Sequence, residues 1–195
     1  MGLALVAGPV NEILEVSEAR DHCRIDTSEQ DAVLAAYIRA TREHFERICG
    51  RAFVTQTWDF TIDREWPWSI DIDTHRHEQL IELPRPPCQS VTSISYVDGS
   101  GNTQTLASNQ YLVDVTNVIG RIYPAYGVTW PAVRCQAKAI TVRFVSGYGA
   151  GPGAVPEDLR QAARLQLSHY FDNRQITEDL DSTAAALIAK YKVYI

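Results

Sequence analysis

Two stretches of helical periodicity stand far apart in this chain, and the residues between them follow a different period. That arrangement constrains the fold more than any single motif. From Val155 to Asn173, VPEDLRQAARLQLSHYFDN, the apolar residues Leu159, Ala162, Ala163, Leu167, Tyr170 and Phe171 recur at three- and four-residue spacing, on one stripe of a helix. Such a stripe must be covered. Its best partner is a second amphipathic helix from Ser28 to Gly50, with Leu34, Tyr37, Ile38, Thr41, Phe45 and Ile48 as its inward side. Ser28 is expected as the N-cap, with Asp31 where a capping box places its acid, and Gly50 as the left-handed stop. Arg39 with Glu43 and Arg42 with Glu46 have the spacing to pair across one turn on the exposed face. Upstream, Ser17 is expected to cap a short helix that ends near Asp26.

After Gly50 the period changes from helical to two. In FVTQTWDFTID, Val54, Trp58, Phe60 and Ile62 fall on one side and Thr55, Thr57, Asp59, Thr61 and Asp63 on the other, as in a half-buried strand. Further short strands are predicted over 81–83, 91–97, 104–106, 111–115, 120–123 and 139–145, with Asp98 to Asn102 as a hairpin turn. Gly147 to Gly153 is expected to be a flexible hinge, and Pro156 suits the first turn of the helix that follows. An acidic stretch, a short apolar helix over 182–190 and the tail Tyr191 to Ile195 complete the chain. The fold class is therefore α+β: a helical base formed by the N- and C-terminal helices, with an inserted small antiparallel β unit. Residues 1–51 give the first part of the base, 52–146 the insertion, and 147–195 the last helix and tail, within one structural domain.

Composition narrows the function. A net charge of −6 is opposite to what a protein that grips phosphates needs. Cys23, Cys49, Cys88 and Cys135 are widely spaced and contain no Cys-x-x-Cys, so they read as reduced, mostly buried thiols. MGLALVAGPV reads as an extended lead-in, too short to span a membrane, and no apolar run is longer. The strongest catalytic candidate is Asp71, Asp73, His75 and His77. On a strand these four share a face, and a His-x-His pair can bind a divalent metal, which gives a metal-dependent hydrolase as the alternative reading. Along one strand they span too far to converge on one ion, so a further ligand would have to come from elsewhere; the competing reading is a polar outer face. Trp66 and Trp68 are either a partner platform or buried against the β unit. The glycines from Gly147 to Gly153 lack the Gly-Lys-Ser/Thr of a phosphate loop. No catalytic residue, metal ligand or cofactor site is assigned.

The ordered set CGRAFVTQTWDF, LPRPPCQSVTSISYVDGSG, YLVD, GRIYP, WP, ITVRFVSGYG, VPEDLRQAARLQLSHYFDNR and YKVY resembles the head–tail connector adaptors of long-tailed phages and phage-like gene transfer agents, over nearly the whole chain. The resemblance implies a non-enzymatic structural protein at the head–tail interface of a virion or phage-like particle. It implies a ring, usually of about twelve copies, beneath the portal protein and facing a stopper or tail terminator, with DNA passing through the lumen without specific binding. The helical base would form the ring, and the tail, Tyr191, Lys192, Val193, Tyr194 and Ile195, would lie at the portal interface. A closed head-to-tail ring needs two complementary faces per copy, and Arg39, Arg42, Glu43, Glu46 and Arg47 are candidates for one of them.

Overall fold

The period-two stretch builds antiparallel sheets, and its alternation sets which side chains they bury. In a computed structural model that describes residues 1–67, 69–70, 77–78 and 80–193, the backbone alone being considered at 69–70 and 77–78, the chain divides into two units: residues 1–8 with 56–146, and residues 9–55 with 147–195.

The first unit holds strands β1 (Gly2–Ala7), β2 (Gln56–Ile62), β3 (Ser69–Ile70), β4 (His77–Glu78), β5 (Ile81–Glu82), β6 (Cys88–Val97), β7 (Thr103–Thr105), β8 (Tyr111–Asp114), β9 (Arg121–Pro124) and β10 (Ile140–Ser146). They form a five-stranded sheet of order β1-β2-β10-β6-β7, a three-stranded sheet β5-β9-β8 and the pair β3-β4. Register across the centre aligns Phe60 with Val142 and Ile94, and Ile62 with Ile140 and Tyr96. Phe60, Ile62, Ile94, Ile140 and Val142 thus share one side, the side the alternation assigned inward. Ile81, Leu83, Leu106 and Ile122 join them in one buried core. Trp66 also packs there: it stacks on Trp130 with ring centroids 4.5 Å apart, and its indole N–H donates to the Pro131 carbonyl at 2.8 Å. The N-terminal lead-in differs from expectation. It is not part of the helical base but a strand, laddered onto β2 from Gly2↔Thr61 to Ala7↔Thr57. Isolated apolar residues without a periodic partner carry no signal of the strand they will pair with.

The second unit holds helices α1 (Val16–Cys23), α2 (Asp31–Cys49), α3 (Glu157–Asn173) and α4 (Ser182–Ala189). Leu34, Ile38, Thr41, Phe45 and Cys49 of α2 and Leu159, Ala162, Ala163, Leu167 and Tyr170 of α3 are fully buried, so the two stripes face a common core. Gly50 ends α2 at φ 66°, as expected of a left-handed stop. The serine caps are not used. Glu15 precedes α1 and Gln30 precedes α2, neither with a side-chain cap, and Ser28 instead accepts the Asp31 N–H through its own carbonyl. Only Asp181, at the start of α4, caps by side chain, accepting from Thr183 and Ala184.

The glycine-rich return at Gly147 is bonded rather than a loose hinge. Tyr148 N–H donates to the Phe53 carbonyl at 3.0 Å, Thr55 N–H donates to the Gly149 carbonyl at 2.9 Å, and Val54 and Gly149 form a parallel bridge. Outgoing and returning chain therefore run side by side. Gly147 sits at φ 119°, and a Cβ there would lie 2.5 Å from the Val54 carbonyl. Both the conformation and the space demand glycine. Gly147→Ala is expected to lower the unfolding free energy by more than about 1 kcal/mol in urea melts.

Candidate assembly interface

The middle and the C-terminal end of α2 are fixed by polar contacts that the helical pattern does not reveal. Arg42, expected on the exposed face, has a side chain only 6% exposed. Its Nε donates to Glu12 Oε2 at 2.7 Å and its Nη1 to Glu46 Oε2 at 2.8 Å. Glu46 is as buried, and its Oε1 accepts the Phe53 N–H at 2.7 Å. Burial works against the guanidinium charge, but the hydrogen bonds and charges of Glu12 and Glu46 outweigh it and push the Arg42 pKa up. Arg42 and Glu46 pair at the expected spacing yet face inward, because residues 9–15 and 51–53 fold over them. Both therefore make these polar contacts within the helical unit. Arg39, Glu43 and Arg47 are the members of the predicted ring face that remain exposed, at 67%, 62% and 64%. Arg39 approaches Glu12 at 3.8 Å rather than pairing with Glu43, and Arg47 approaches Glu178 at 3.6 Å.

The tail is partly tied down. Val193 N–H donates to the Cys49 carbonyl at 2.9 Å, Arg51 Nε donates to the Tyr191 carbonyl at 2.6 Å, and Tyr191 packs against the helical core. Gly50 makes room for this: a Cβ there would meet the Val193 carbonyl oxygen at 2.9 Å. Lys192 points outward, while Tyr194 and Ile195 lie outside the described residues. The root of the tail is thus fixed beside the end of α2.

Two further clusters lock the helices. Glu18 of α1 accepts from Arg160 Nη2 at 2.7 Å and from Arg164 Nε at 3.0 Å, and Glu157 accepts from both arginines. Burial raises the Glu18 pKa, but the hydrogen bonds of Arg164 and Arg160 prevail and hold it below the ordinary carboxylate range. On the other side of α3, buried Tyr170 donates its one hydroxyl proton to the Thr177 carbonyl at 3.0 Å. Its oxygen then takes the Nδ1–H of buried His44 at 3.0 Å, which fixes that imidazole's tautomer. Burial and the nearby Arg47 push the His44 pKa down. Burial also carries the Cys49 and Cys88 thiols up to about 11, so neither is a thiolate near neutral pH. Cys135, by contrast, is exposed.

Asp71, Asp73 and His75 lie outside the described residues, and so does the His77 side chain. Among the described residues no group of three or more His, Cys, Asp and Glu could hold a metal ion, and no helix is long and apolar enough to cross a membrane.

The site is thus a helical unit whose longest helix is tied at its middle and its C-terminal end, with Arg39, Glu43 and Arg47 exposed along one face. A family described as phage gp6-like head–tail connector proteins matches residues 13–97. A solved chain from the neck of an empty gene transfer agent particle, determined with C6 symmetry, matches with TM-score 0.80 and 25% identity over 100% of this chain and 97% of its own. A chain from the virion of a native gene transfer agent particle matches with TM-score 0.78 at 25% identity over the same shares. A third, from the neck of a native particle determined with C12 symmetry, has TM-score 0.75 at 23% identity, again over 100% and 97%, and shows the fold alone. No curated protein matches by sequence. The resemblance to head–tail connectors read from the sequence is thus borne out.

Arg42→Ala leaves buried Glu46 without its counter-ion, so a loss of about 3–5 kcal/mol is expected in chemical denaturation, whereas Arg39→Ala and Arg47→Ala should stay within about 0.5 kcal/mol. A second expectation follows from His44. Because its folded pKa lies below the unfolded value of 6.5, the unfolded chain takes up the proton first as pH falls, and stability is lost below about that value. Melting temperature should drop between pH 7.5 and 5.5, and less so in His44→Gln, whose amide can still donate to Tyr170.

Proposed function

We propose that this chain is the adaptor that joins the portal of a filled head to the stopper or tail terminator, as a closed ring of about twelve copies with DNA passing through its lumen. The observation that carries this reading is the match, over the whole chain, to a chain in the neck of a gene transfer agent particle. The exposed charges of α2, Arg39, Glu43 and Arg47, suit a contact between the helical units of neighbouring copies, since opposite signs stand on one helix face.

The tail is the portal-docking element in this reading. Its root is fixed at Tyr191 and Val193, so this part of the tail needs little further ordering when a partner is met. Each tail contributes modestly. Repetition around a ring raises the effective concentration of every remaining tail once the first has docked. The negative net charge suits a lumen that lets phosphates pass without holding them. The enzyme alternative has no support among the described residues.

Particles produced without the chain are expected by electron microscopy to be filled, tailless heads that lack a ring below the portal. Normally tailed particles would sink the adaptor reading. Removing Tyr194 and Ile195 alone should leave the melting temperature unchanged and abolish attachment to filled heads; attachment at the normal level would remove the tail from the portal contact.

A further inference from the structure

Among the described residues of the β unit, the exposed large hydrophobic side chains are confined to two strips. All nine fall within residues 1–6 and 112–126. One strip is β1. All six of its residues are exposed, and among the described residues it is laddered only to β2, which leaves its outer edge without a neighbouring strand. Leu3, Leu5 and Val6 project from it. The other strip is β8, the outer strand of the three-stranded sheet, with Leu112 and Val113 exposed and Val115, Val118 and Tyr126 beyond it.

Edges like these invite pairing with another chain, and native proteins normally blunt them with charge, proline or short length. The other outer strands of the two sheets are blunted: β7 is three polar residues, Thr-Gln-Thr, and β5 is two residues long. β1 is longer and has neither charge nor proline, apart from a register shift between Leu5 and Ala7, and β8 carries one charge, Asp114. Gly2 to Asn11 carries no charged side chain, in a chain of which 22% is charged. From Gly99 to Val133 the only charged residues are Asp114 and Arg121, and both are engaged internally. Asp114 accepts from Thr116 and Asn117, and Arg121 donates to Glu82.

This pattern says what covers the strips. Copies of a chain with net charge −6 repel one another, so they approach most closely where acid is missing. A partner of opposite charge would instead favour the acidic remainder of the surface. A closed ring also requires two dissimilar faces on every copy, and β1 and β8 are dissimilar: one is six residues long at the edge of the larger sheet, the other four at the edge of the smaller. We propose that in the assembled ring β1 of one copy packs edge to edge against β8 of the next, a head-to-tail strand contact between β units. The contact is additional to that of the helical units and rests on the ring reading given above.

The test uses assembled particles that carry the chain with Cys135→Ser, to remove the exposed native thiol. In this background Leu5→Cys and Leu112→Cys are introduced together, and also singly for mixed assembly. Both leucines are exposed, so neither change disturbs the core. With a short bis-maleimide, the double variant is expected to give a ladder of multiples of the chain mass, and the mixed single variants a product of two chains and no more. Either single variant alone should stay monomeric on a denaturing gel. A ring visible below the portal with no ladder, or a cross-link from Leu5→Cys or Leu112→Cys to a different protein, would overturn the strand contact and leave the ring standing. Particles without the chain at the neck would overturn the ring reading and this contact together.

Discussion

The guanidinium of Arg42 is the constraint around which the helical unit is arranged. A charge removed from water must be matched by counter-charge and hydrogen bonds or the fold loses several kcal/mol. Glu46, one turn on, and Glu12, thirty residues back, do this together. Glu46 has a second acceptor oxygen, and the Phe53 N–H uses it. One cation thereby fixes the segment that enters α1, the middle of α2 and the chain just after α2 has stopped. The gain is as much in geometry as in stability, since apolar packing alone would tolerate several positions of residues 9–15 and 51–53 on the helix.

The same logic, polar groups satisfied inside the unit, governs α3. Its stripe of Leu159, Ala162, Ala163 and Leu167 supplies burial, while its flanks supply direction. Arg160 and Arg164 fasten α1 through Glu18. Gln166 donates to the Asp179 carbonyl and accepts from the Asp181 N–H, and Tyr170 reaches Thr177. The acidic stretch between α3 and α4 reads as solvated loop, yet two buried side chains of α3 hold it. That in turn positions Asp181 to cap α4, and α4 leads into the anchored tail.

A ring assembled as proposed needs contact surfaces that stay uncovered until it forms, and the two candidate surfaces of this chain are chemically separate. Its strongest ion pairs are spent internally, on Arg42, Arg160 and Arg164. The outer face of α2 carries a sparse set of exposed charges, and the β unit has charge-poor apolar edges. The first suits loose, salt-dependent contacts; the second suits close packing.

The amphipathic stripes, the switch of period after Gly50, the hairpin at Asp98 and the left-handed stop at Gly50 were all legible, because each depends on residues within a few positions of one another. The strands β2, β6, β8, β9 and β10 were found close to their true bounds for the same reason. Long-range pairing was not legible. Nothing in GLALVA announces that it will ladder onto β2, more than fifty residues away. The spacing of Arg42 and Glu46 gave their pairing but not their burial, since a helix face is inside or outside only when another segment does or does not cover it. The glycines at 147 and 149 looked like slack and proved to be a tight crossing, where the backbones of two distant segments bond to each other. Local chemistry determined which elements form and which of their sides are apolar. Only the tertiary structure decided which charges are enclosed, which strand edges stay open and where the tail is fixed, because each depends on segments brought together across the length of the chain.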